Sequence, residues 1–77
     1  NNSPEEEVSE NELKGLLKNA LKSLEEKEAL VIQLYFVEEL NIYEIGEVLS
    51  VSTGRVSQIK GNAIKKVRTF IEQKLQN

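Results

Sequence analysis

The sequence predicts an all-α domain of four helices, with a helix-turn-helix, no winged element and a long last helix. Three observations carry this. Apolar residues recur at spacings of three and four through four stretches. Three of those stretches open on a capping residue, Ser9, Asn41 or Ser52. The stretch most open to a strand reading, NIYEIGEVL, fails as one: strict alternation groups Glu47 with Tyr43, Ile45 and Leu49, whereas helical spacing collects Ile42, Ile45, Val48 and Leu49 on one face.

The opening NNSPEEEVS is polar, holds the only proline and has no apolar period. Residues 1–9 therefore read as a linker or disordered lead-in and residues 10–77 as the domain. A first helix is expected over about 10–23, where Ser9 and Glu12 have capping-box spacing and Leu13, Leu16, Leu17, Ala20, Leu21 and Leu24 keep the period. A second is expected over about 25–37. Glu25, Glu26 and Glu28 place negative charge at its amino end, and Leu30, Val31, Leu34, Tyr35 and Val37 or Glu38 continue the period. Asn41, with Glu44 three residues on, opens a third over about 42–49. Ser52 caps the fourth, whose stripe of Val56, Ile59, Ala63, Val67 and Phe70 or Ile71 carries it to about residue 73.

Composition narrows the chemistry. There is no His and no Cys, and all 13 acidic residues are Glu, so neither a His-assisted nucleophile nor a His/Cys metal cluster is available. The glutamates fall among lysines at helix-surface spacing and read as solvated faces, not as an acid and base pair. The expectation is a non-enzyme with no cofactor, no metal and no small-molecule substrate. No apolar run reaches the roughly 18 residues of a membrane span and no signal peptide opens the chain, so a soluble, cytoplasmic protein without a membrane partner is expected. The absence of any Met points to a fragment of a longer protein.

Charge is distributed unevenly along a chain whose net charge is -3. Residues 1–52 set four lysines against twelve glutamates, a net of -8, while residues 53–77 set six basic residues against Glu72 alone, a net of +5. Such asymmetry marks the basic end for a polyanionic or acidic partner. Ile42 through Lys60 has the layout of a helix-turn-helix, two helices joined by Ser50-Val51-Ser52. Gly46 would let the two axes approach, with Ile45, Leu49, Val51, Val56 and Ile59 filling the wedge. Two helices on a tight turn also occur in many bundles, and spacing alone leaves both readings open.

The second helix of that pair turns DNA-reading residue types outward. Thr53, Gly54, Arg55, Ser57 and Gln58 are the candidates for base and major-groove contact: Arg pairs with guanine, Gln with adenine, Thr with a thymine methyl, and Ser donates to phosphate. Lys60, Asn62, Lys65, Lys66 and Arg68 follow as candidates for phosphate contact, with a solvated basic face as the alternative. Gly54 and Gly61 are poor helix residues, a weakness that close approach to a ligand or a neighbouring helix would explain, although Gly54 stands near the helix start, where it costs less and needs no such explanation.

The run RVSQIKGNAIKKVR, preceded by ELNIYEIGEVLSVS and by LEEKEALVIQLYF, resembles the carboxyl-terminal region four of sigma-70 family factors, the bacterial initiation subunits of RNA polymerase. LYFVEELNIYEIGEVL with STGRVSQI looks most like the flagellar, motility-type members. The resemblance covers about residues 20–72 and implies four helices, the last entering the major groove of the promoter -35 element. It implies three partners: double-stranded promoter DNA, the flap tip of the polymerase β subunit, and an anti-sigma protein. Leu34, Tyr35, Val37, Leu40, Ile42 and Tyr43 are the candidates for the flap, with core packing as the alternative for each. Thr53 and Gly54 depart from the charged residues common in relatives, and Glu25 replaces a proline or serine at the entry to helix two. Two other readings stand beside this one: a response-regulator-type output domain, and a protein-interaction module whose basic helix meets an acidic partner.

Overall fold

A computed structural model of the chain describes residues 9–76, so the lead-in expected before Ser9 lies outside the described residues. Helix α1 spans Glu10–Lys22 and opens on the expected capping box: Glu12 N–H donates to Ser9 Oγ and Ser9 N–H to Glu12 Oε1, both at 3.1 Å. Helix α2 spans Glu26–Ile32, with the Glu25 N–H donating to Glu28 Oε1 at 3.0 Å. Asn41 and Glu44 form a second reciprocal box, both bonds 2.9 Å, at the start of α3, Ile42–Leu49. Helix α4, Thr53–Gln76, is the longest and runs three residues past the expected end. Among the described residues there is no strand, and the wingless four-helix architecture stands as the sequence predicts.

The second helix differs from its expected form. After Ile32 it widens into a π-helical turn, Gln33–Val37, closed by Glu38 N–H to Gln33 O at 3.0 Å. The extra residue in the turn changes which side chains face inward. Tyr35 packs against the core, whereas Phe36 and Val37 face out, 56% and 69% exposed. The chain then reverses through Glu39, whose φ of 61° is left-handed, with Leu40 N–H bonded to Leu34 O at 3.0 Å.

Val31, Ile45, Val56 and Ile59 form the core, supported by half-buried Leu34, Tyr35, Leu40, Ile42, Leu49 and Val51. Burying each of the larger members contributes about 1.5–3 kcal/mol. Helix α4 packs against α1, α2 and α3 in turn, so it is the spine of the domain. Helix α1 rests chiefly on α4; of its expected stripe only Ala20 and Leu24 are buried, and Leu13 and Leu17 stay exposed. Val48, expected on the buried face of α3, is 59% exposed. At 100° per residue it lies roughly a quarter turn from the centre of the Ile42, Ile45 and Leu49 stripe.

Glu28 departs furthest from its expected place on a solvated face. It is buried, 8% exposed, and both its carboxylate oxygens meet Lys66 Nζ of α4, at 3.0 and 2.9 Å. That ion pair clasps α2 to α4.

Candidate nucleic-acid interface

The turn between α3 and α4 is built from backbone constraints. Ser50 ends α3 in the left-handed conformation, φ 59°, and Val51 N–H returns to Gly46 O at 3.0 Å. A β-carbon on Gly46 would lie 2.8 Å from the Val51 carbonyl oxygen. The expected close approach at Gly46 is therefore real, but its partner is the turn and not the axis of α4. Ser52 Oγ then accepts the Arg55 N–H at 3.1 Å, capping α4 as expected. With Val56 and Ile59 locked in the core beside Ile45, the start of α4 has one orientation.

That orientation turns a continuous stripe outward. Gly54, Gln58, Gly61 and Lys65 follow one another at i, i+4, i+7 and i+11, all exposed, opposite the buried Val56, Ile59 and Ala63. Arg55, Asn62 and Ser57 flank the stripe, also exposed, while Thr53 is half-buried at its head. Apart from its chain neighbours and the backbone of its own helix, nothing lies within 4 Å of a β-carbon placed on Gly61, and Gly54 has only Ser52 Oγ at 4.0 Å. A neighbouring helix therefore does not account for either glycine. Within the stripe Arg55 Nη1 donates to Gln58 Oε1 at 2.7 Å.

The expected phosphate contacts divide. Asn62 and Lys65 lie on or beside the outward stripe, and Arg68 stands further along α4. Lys60 and Lys66 turn back to the domain. The Lys60 ammonium sits 3.9 Å from the centroid of the Tyr35 ring. Lys66 is held by Glu28, and that hydrogen bond keeps its ammonium protonated above the usual lysine range. In turn the Glu25 N–H and then Lys66 hold the Glu28 carboxyl below its usual range, outweighing its burial.

This arrangement of capped turn and outward stripe lies inside a stretch with known relatives. The family model described as sigma-70, region 4, matches residues 20–69. The chain belongs to the sigma-70 region 4 family. It is 42% identical over 73 residues to the RNA polymerase sigma-D factor of Bacillus subtilis, covering 95% of this chain and 29% of that protein. It is 47% identical over 66 residues to the RNA polymerase sigma factor FliA of Salmonella typhimurium and 44% identical over 66 residues to that of Escherichia coli K12. In both cases 86% of this chain is covered and 28% of the relative. The chain thus spans less than a third of the length of the relatives it matches. Their FliA and sigma-D names agree with the flagellar type that the sequence resembles.

Region 4 here carries a second surface that sequence spacing did not bring together. Leu17 and Leu21 of α1, Ile32, Phe36 and Val37 around the π turn, and Ile64, Val67 and Arg68 of α4 line an open groove of about 440 Å³. Of the six flap candidates only Val37 lines it. Leu34, Tyr35, Leu40 and Ile42 pack against the core, and Tyr43, 69% exposed, projects from the outer side of α3. Phe36 was the available signal, a large apolar residue left over from the stripe of the second helix, whereas Leu17 fits the stripe of α1 and gave none.

Helices of the described residues are too short or too polar to cross a membrane.

Proposed function

We propose that this chain is the promoter-binding module of a flagellar-type RNA polymerase sigma factor, in which α4 enters the major groove of the -35 element. The observation that carries the proposal is the outward stripe of Gly54, Gln58, Gly61 and Lys65, flanked by Arg55, Ser57 and Asn62. It has no acidic residue, donors at base-reading positions and two glycines that let the backbone approach. Asn62 and Lys65 take the phosphate role. Lys60 and Lys66, already engaged by Tyr35 and Glu28, serve the domain first. The apolar groove receives the polymerase β flap tip, and the acidic amino-terminal half offers an anti-sigma protein a surface apart from the DNA face.

Titration of a duplex carrying a -35 element from promoters of the sigma-D and FliA relatives, against a scrambled duplex at several salt concentrations, tests this. With only Asn62 and Lys65 in the phosphate role the affinity should be micromolar or weaker at physiological salt, and should fall as salt rises. Lys65→Ala should weaken both duplexes alike and lower the salt slope by about one, whereas Arg55→Ala should erase the preference between them. Duplex DNA that leaves the amide signals of residues 53–65 unmoved, while an acidic protein moves them, would sink the proposal in favour of a protein-interaction module.

A further inference from the structure

Two lysines lie on the flanks of α4, where a helix seated in a duplex meets the groove walls. An α-helix with its side chains is about 10–12 Å across and the major groove about 12 Å wide, so sugar and phosphate stand against the flanks of the helix. At 100° per residue Lys60 lies about 130° round α4 from the middle of the outward stripe, and Lys66 lies about 110° round it the other way. Both ammonium groups are already taken. Lys66 is paired with the Glu28 carboxylate at 2.9 Å, and the Lys60 ammonium sits over the Tyr35 ring, 3.9 Å from its centroid.

The two tethers differ in kind. Glu28 meets its lysine charge to charge, whereas Tyr35 offers only the negative face of an aromatic ring. That ring is fixed, because Tyr35 packs against the core from within the π turn. Lys60 is half-buried beside it, while Lys65 and Arg68 are exposed. Ion pairs among the described residues involve Lys14 and Lys66, so no carboxylate there competes with the ring for Lys60. A cation on a partly desolvated ring face is held by about five- to thirtyfold. One phosphate contact, with a salt slope of about 0.9, strengthens binding at 0.1 M salt by about eightfold relative to 1 M. Leaving the ring for a phosphate therefore gains Lys60 close to nothing.

We propose that Tyr35 is a positioning residue that withholds Lys60 from the duplex, so that one flank of α4 lacks the charged phosphate contact its sequence offers. This inference rests on the DNA-binding reading above and adds to it a residue that limits attraction to DNA without touching it. The withheld charge weakens every sequence alike. Base preference stays with the outward stripe, and the module remains weak on arbitrary duplex.

Titrations of the 77-residue chain over a series of salt concentrations, against the promoter duplex and its scrambled control, test this with Tyr35→Leu, Tyr35→Phe, Lys60→Met and the double variant Tyr35→Leu with Lys60→Met. Lys60→Met alone should leave affinity within about twofold and the salt slope unmoved. Tyr35→Leu keeps apolar packing but removes the ring face. It should steepen the slope by about 0.9 and strengthen both duplexes about fivefold at 0.1 M salt, with their ratio unchanged, and Lys60→Met in that background should cancel the gain. Tyr35→Phe retains the ring and should behave as the wild type. Without DNA, the ε-methylene proton signals of Lys60 should carry an upfield ring-current shift in the wild type and Tyr35→Phe, and lose it in Tyr35→Leu. Absence of that shift from the wild type overturns the inference. So does a Lys60→Met variant whose slope falls by about 0.9, because Lys60 would then reach phosphate despite the ring; these two measurements decide even where Tyr35→Leu fails to fold. A folded Tyr35→Leu variant that binds duplex with the wild-type slope, or with an altered ratio between the two duplexes, overturns the inference alone. Absence of binding to any duplex, in wild type and variants, removes the DNA-binding reading and the inference with it.

Discussion

Two glycines in the same helix-turn-helix do opposite work. The β-carbon of an alanine at position 46 would meet the Val51 carbonyl oxygen at 2.8 Å, a backbone atom that moves only with the turn. Gly46→Ala should destabilise the domain by about 1–2 kcal/mol in urea titration, the steric cost exceeding the roughly 1 kcal/mol that alanine gains in a helix. At Gly61 nothing lies within 4 Å, so Gly61→Ala should stabilise the free domain by about 0.5–1 kcal/mol. The same methyl group lies on the outward stripe and should weaken duplex binding. Unaltered binding by Gly61→Ala would mean that this part of α4 does not approach the groove. The need for a small residue at 46 was legible in the spacing of the two helices. Its true neighbour was not, because a carbonyl direction depends on the left-handed Ser50, and serine carries no sequence signal for that conformation.

Between elements, the Glu28 and Lys66 clasp ties α2 to α4 across 38 positions of sequence. Because the Glu28 carboxyl is held below its usual value of 4.5, its contribution to stability is complete above that pH and is lost as pH falls through the lowered value. Lys66, raised above 10.5, contributes fully below that pH and loses its contribution as pH rises beyond it. The difference in Tm between the wild type and Glu28→Gln should therefore be largest between about pH 5 and 10 and shrink on either side. A difference independent of pH would show that burial of the side chain, and not its charge, matters. Separation along the chain also explains what the sequence left illegible. Capping boxes at Ser9 and Asn41 and the cap at Ser52 are local, and all three were readable within four residues. The clasp and the groove join residues from different helices, as with Leu17 and Ile64, and periodicity along one helix has no information about the other. The π turn at Gln33–Val37 is a single extra residue in a run whose apolar spacing fits an α-helix equally well.

Over the whole molecule, 47 Å long and about 20 Å across, the two candidate surfaces occupy different sides of α4. The proposed base-reading residues lie on the stripe through Gln58, and the groove is walled by Ile64 and Val67. Separate surfaces make separable losses the expected outcome. Phe36→Ala should weaken binding of a β flap-tip peptide about tenfold or more while leaving duplex affinity unchanged, as an exposed aromatic anchor would. Arg55→Ala should do the reverse. Loss of both activities in either variant, measured by anisotropy with each ligand, would refute the assignment of the surfaces.

Because one unbroken helix of 24 residues carries both, the domain has the mechanics of a lever. Gln58 and Arg68, the last α4 residue to line the groove, are ten residues apart, about 15 Å along the axis. A tilt of about 10° imposed at the groove end would carry the reading end roughly 2.6 Å, about three-quarters of the 3.4 Å rise of one base step along a DNA strand. On the proposed reading, what fills the groove would therefore shift the alignment of the stripe on the duplex without touching it.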